Sequence, residues 1–200
     1  MDERGPRGKD TLPENSSGDH AYARVVSWTA PDPGPSAGLL TGGPMTGDER
    51  AVLQGYLDRH RATLLRICAG LTAEELAARP VPPSTLSLLG LVRHLAKVER
   101  IWLRRRVGGE DVPDLHGGPG DPTDFDAGVA ELAADELRVL QEEAARGDAA
   151  VAGIPLDHEI DFRGEAMSLR MVYLHLIGEY ARHNGHADLL RQVIDGVVGR

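Results

Sequence analysis

Between Ser168 and Gly196 the chain offers 27 residues of helical pattern, and one stripe of that helix is chemically unusual. His175, Glu179, His183 and His186 fall at i, i+4, i+8 and i+11, which puts them on one face. Leu176, Ala187 and Leu190 turn the same side of the helix inward. Three imidazoles and a carboxylate on an inward face need a partner, because burying unpaired polar groups is costly. A divalent metal is the most economical one.

The rest of the chain reads as helices able to supply such a site. Helix one starts at Thr46, which has capping-box spacing to Glu49. It follows Val52, Leu53, Tyr56, Leu57, His60, Leu64 and Ile67 to Gly70. Thr72 with Glu75 predicts a short helical turn, stopped by Pro80, Pro82 and Pro83. Helix two spans about 85–107, with Leu88, Leu91, His94, Leu95, Val98, Ile101 and Trp102 as its stripe. Residues 108–122, with their GGPGDP run, form a loop. Helix three spans about 124–146 and is stopped by Gly147. Residues 148–166 are irregular, with room for a short extended pair around 154–162. Ser168 caps helix four, and Gly196 ends it. This pattern predicts an all-α four-helix bundle over 46–200. The Gly-, Pro- and Ser-rich residues 1–45 are predicted to be a disordered or extended tail, although Val25, Val26 and Trp28 could dock.

Composition removes other classes. A net charge of −9 over 200 residues argues against nucleic-acid binding. No apolar run is long enough to span a membrane, and MDERGPRGKD has no apolar core of a secretory signal. The single cysteine, Cys68, lies in a helical stripe and reads as a small buried hydrophobe. A cytoplasmic protein is expected.

Bundles build metal sites from facing helices. Glu179 and His183, one turn apart, can chelate one ion, and His94 on helix two supplies a third donor. Three protein ligands leave a coordination position open, and imidazoles with a carboxylate suit zinc or nickel. His186 and His175 read as supporting or substrate-contacting groups. His20, His116 and His158 read as surface residues, and His60 faces the bundle without a partner signature. Gly185, inside helix four, marks either close approach of another group or simple tolerance. Arg93, Arg100 and Arg104 to Arg106 could bind a carboxylate or phosphate, but a solvated basic face is the plainer reading.

HLAKVE (94–99) and EYARHNGHADLLR (179–191) resemble the DinB/YfiT-like superfamily of metal-binding four-helix bundles, closest to relatives of the mycothiol-dependent maleylpyruvate isomerase. DERAVLQGYLDRHRATLL, the AGLTAEELAARPVPPSTLSLLGLVRHL stretch and, faintly, SWTAPDP extend the likeness. The resemblance implies His94, Glu179 and His183 as metal ligands, with Glu179 in place of a histidine found in many members. His186 stands where a glutamine is common. It further implies a thiol-dependent transferase acting on a small electrophile, with mycothiol as co-substrate, and a homodimer. Trp102 and Val107 read as surplus to one bundle and point the same way. The chain lacks the isomerase's extra C-terminal domain, so that particular isomerisation is not expected. A non-catalytic metal-binding or stress-response module remains the alternative, and no catalytic residue is assigned.

Overall fold

The computed structural model describes Met1, residues 28–34, 43–126 and 128–199. Its frame is four long helices. Helix α1 spans Glu49–Cys68, and the single turn α2 spans Ala73–Ala77. Helix α3 spans Leu88–Glu99 and continues as a π-helical stretch, Arg100–Val107. A turn, α4, covers Thr123–Asp126, and a 3-10 turn, Ala130–Leu132, leads into α5, Ala133–Val151. The antiparallel hairpin β1 (Glu159–Phe162) and β2 (Glu165–Ser168) precedes α6, Leu169–Asp195. Helix α1 packs along α6 and α3 along α5, while α3 also crosses α6.

The all-α bundle expectation holds, with local corrections. Asp48, not Thr46, caps α1, its carboxylate accepting from the Ala51 amide at 2.9 Å. Thr72 and Glu75 do form a reciprocal capping box. Ser168 caps α6, and Gly196 ends it at φ 80°. The expected third helix is broken after Asp126 and then runs through Gly147 to Val151. Gly147 does not stop it: a Cβ there would lie 2.9 Å from Leu103 Cδ1, so its bareness lets the π-helical stretch press against α5. The extended pair exists but lies later than expected.

Most of the predicted tail, 1–45, lies outside the described residues, as do Val25, Val26 and His20. Residues 28–34 lie against the bundle, as the docking expected around Trp28 allows. Thr29 bridges Thr72, the Ala30 amide donates to Leu71 O at 2.8 Å, and the Gly70 amide donates to Ala30 O at 2.8 Å. Ala30 is buried and Trp28 exposed. Two backbone hydrogen bonds hold this strip against the bundle.

The core joins Leu57 and Leu64 of α1, Leu88, Leu91 and Leu95 of α3, Leu137 and Leu140 of α5, and Val172, Leu176 and Leu190 of α6. Cys68 is fully buried, and burial pushes its thiol up to about 12, so it is a packing residue. Trp102 and Val107 are buried within the single chain, so they give no reason for a dimer. Trp102 is covered by Phe162, with ring centroids 5.2 Å apart, and by His175 at 4.4 Å. The hairpin thus supplies the cover that four helices alone lack.

One polar cluster crosses this core. Glu99 is fully buried and receives Arg61 Nε at 2.7 Å, Arg61 Nη2 at 2.8 Å and the Tyr180 hydroxyl at 2.9 Å. It ties α1, α3 and α6 together at one level of the bundle.

Among the described residues, no helix is long and apolar enough to cross a membrane.

Candidate metal centre

His94 enters the site from the middle of α3, and Glu179 and His183 from the middle of α6. Their donor atoms all lie within 4.8 Å of one another. Glu179 Oε2 is 3.6 Å from His94 Nε2 and 3.5 Å from His183 Nε2. These separations exceed hydrogen bonds, yet they aim three donors at one small volume. His94 Nε2 is buried and has no hydrogen-bond partner among the described residues. An orphaned imidazole nitrogen facing a carboxylate and a second imidazole fits a divalent ion, so this donor set suits the group the sequence implies.

The opposite edge of His94 is fixed by a residue the sequence reading missed. Asp124 Oδ2 lies 2.8 Å from His94 Nδ1, and Lys97 Nζ is 3.4 Å from the same oxygen. Burial acts to raise the Asp124 pKa, but the His94 imidazole and the Lys97 ammonium outweigh it and hold it below the usual range. A carboxylate on Nδ1 keeps the proton there and leaves the Nε2 lone pair free, as in carboxylate–histidine–metal arrangements. Phe125 stacks on His94 at 4.4 Å and 22°. The α4 turn reaches α3 because Gly90 has no side chain: a Cβ there would lie 3.0 Å from Phe125 O. Nothing in PTDFD marks Asp124 as a partner of His94, since the pairing joins a loop to a helix 30 residues away.

His183 is buried, and its pKa falls to about 4, first through loss of solvation and then through the neighbouring His94. It is therefore neutral near pH 7, the form that ligates. His186 Nδ1 lies 3.4 Å from His183 Nδ1, which leaves His183 Nε2 facing Glu179. His186 so touches the site without joining the converging donors. His175 packs on Trp102 and is not among the converging donors; burial lowers its pKa, although the Glu179 carboxylate acts the other way.

The remaining histidines divide. His158 is exposed, as expected. His116 is not a free surface residue: its Nε2 lies 2.9 Å from Glu136 Oε2 and the side chain is mostly covered. The His60 imidazole does have neighbours: Asn184 Nδ2 lies 3.4 Å from its Nδ1, and Tyr56 meets the ring edge-on at 5.1 Å between centroids. Gly185 approaches nothing within this chain, with open space around a Cβ built there.

A cavity of about 340 Å³ adjoins the site, with His94, Trp102, Phe125 and Phe162 among its walls.

The family model for mycothiol-S-transferase matches residues 52–196, the whole helical frame that carries these donors. The chain belongs to the mycothiol-S-transferase family. That family lies within the DinB/YfiT-like superfamily, as the helix-two and helix-four motifs imply. A crystal structure of a conserved protein from Enterococcus faecalis is similar in fold, with a TM-score of 0.57 and 18% identity. The match covers 76% of this chain and 100% of that one, and at this identity it speaks for the fold alone. No curated protein matches the chain.

Proposed function

We propose that this mycothiol-S-transferase family member is a metal- and thiol-dependent S-transferase that joins mycothiol to a small electrophile. The observation that carries the reading is the convergence of His94, Glu179 and His183 on one volume beside an open cavity. Zinc or nickel held there would lower the pKa of a coordinating thiol and keep it as the thiolate. The chain's own residues do the rest. Asp124 holds the His94 proton on Nδ1, and burial keeps His183 neutral. The thiol gives its S–H proton to solvent water and an S–C bond forms; the displaced electron pair departs with the leaving group or, in an addition, takes a proton back from water. Phe125, Trp102 and Phe162 make the adjoining wall apolar, which suits a small electrophile. A thiol co-substrate and a buried, unreactive cysteine fit the reducing cytoplasm.

The test is direct. Protein purified without chelator or tag is expected to carry a divalent ion and to conjugate an electrophile only when mycothiol is present. Removing the ion should end turnover, and adding zinc or nickel back should restore it. Metal without turnover would leave a non-catalytic metal-binding module, and protein purified free of metal would remove both readings.

The reading includes a homodimer, on a different surface from the one first expected. The outward face of α6 exposes Met171, Leu174, Leu189 and Val193, and Gly178 and Gly185 between them meet nothing within 4 Å. A second copy laid across this face would bury those side chains, with the glycines permitting close approach. Sedimentation is expected to show a dimer at micromolar concentration, and a clean monomer would end the idea.

A further inference from the structure

Five arginines lie on α3 and its π-helical extension, and four are committed internally. Arg93 pairs with Glu136, Arg100 and Arg104 share Glu143, and Arg105 pairs with Asp114. Arg106 has no carboxylate partner among the described residues. Its guanidinium instead lies 4.4 Å from the Trp102 ring centroid and 4.7 Å from that of Phe162. Arg163, at the tip of the hairpin, lies 5.3 Å from the same Phe162 centroid and likewise has no carboxylate partner among the described residues. It sits there at φ 61°, beside Gly164 at φ 87°, in a turn position that favours Asn, Asp or Gly. An arginine in that conformation is unfavourable unless its side chain is needed there.

Two cations thus share one aromatic ring with no counter-charge between them. Burial, then Arg163 and Arg105, depress the Arg106 pKa, as expected of like charges held together. Both arginines line the 340 Å³ cavity, whose other walls include His94, Trp102, Phe125 and Phe162; its two carboxylates are engaged, Asp124 by His94 and Lys97 and Asp121 by the Thr123 amide.

We propose that this cavity is a subsite for an aromatic carboxylate, whose anionic end pairs with Arg106 and Arg163 while its ring lies among Trp102, Phe125 and Phe162. The assignment rests on the transferase reading only in making that molecule the electrophile; binding itself requires neither thiol nor turnover. Planar guanidiniums match a carboxylate edge, and aromatic walls match a flat body. The four committed arginines cannot serve without breaking internal ion pairs, so the specificity falls to Arg106 and Arg163.

The experiment is calorimetric titration of the full chain with benzoate, benzamide and inorganic phosphate, in metal-loaded and metal-free protein. Benzoate is expected to bind at least about tenfold more tightly than benzamide, and Arg106→Gln and Arg163→Gln should each weaken benzoate by about tenfold. Arg106→Lys, which keeps the charge without the fork, should recover part of the loss. Benzoate affinity should survive metal removal. Equal binding of benzoate and benzamide would overturn the proposal, as would full affinity in a folded Arg106→Gln protein. Benzoate binding that vanishes with the metal and ignores both arginines would place the carboxylate on the ion and overturn it too. Phosphate binding as tightly as benzoate would remove the aromatic part. Should Arg106→Gln fail to fold, Arg163→Gln, at an exposed turn, carries the same comparison. Failure here with metal content and thiol transfer intact removes only the subsite.

Discussion

His183→Ala is expected to purify with little or no bound metal and without thiol-transfer activity, while His158→Ala keeps both. His183 is the buried member of the converging set, and its loss leaves one donor from each of two helices. His158 is exposed and lies outside the donor set. Asp124→Asn should fall between them. The amide keeps the shape but removes the charge that orients His94, and loss of such an outer partner typically costs about 10–100-fold in metal affinity. His186→Ala should mostly spare the metal, because His186 meets only the far nitrogen of His183. Elemental analysis of each purified variant reads the result. Full occupancy in His183→Ala would dismiss the triad, and with it the main support for the transferase reading.

The second large effect concerns stability. Glu99→Ala is expected to lower unfolding free energy by about 3–5 kcal/mol, the usual cost of leaving one half of a buried ion pair alone. Arg61 would keep Asp148, at 2.9 Å, and Asp58, at 2.8 Å, but both lie nearer solvent and bind the outer part of the guanidinium. The Tyr180 hydroxyl would also lose its acceptor inside the core. Replacing both partners, Arg61→Met with Glu99→Leu, should restore most of the loss, since no charge is then left buried. Urea unfolding of the single and double variants measures the difference. A Glu99→Ala protein within about 0.5 kcal/mol of the parent would mean the cluster is solvated and holds nothing together.

Much of the frame was legible because it obeys local rules. Apolar residues at helical spacing fixed where α1, α3 and α6 lie, and Ser168, Thr72 and Gly196 act through hydrogen bonds or backbone angles within a turn of themselves. The clustering of the three donors was legible for the same reason in part: Glu179 and His183 are one turn apart on one helix, so their proximity follows from helix geometry. His94 required the further step of a facing helix, which the bundle pattern supplied.

What the sequence left open depends on contacts between distant segments. Asp124 meets His94 only because bare Gly90 lets the α4 turn approach α3. Helix three broke after Asp126 although its apolar marks continue, and Gly147 stayed helical because Leu103 fills the space beside it. Trp102 looked surplus until the hairpin brought Phe162 over it. Five arginines on one helical stretch were indistinguishable by spacing, and only the positions of Glu136, Glu143 and Asp114 separated four structural ones from Arg106. The sequence by itself determined the helices and the residue types of the site, because periodicity and capping are short-range. Tertiary structure decided which charge meets which, because a side chain's partner is set by where another segment is folded against it.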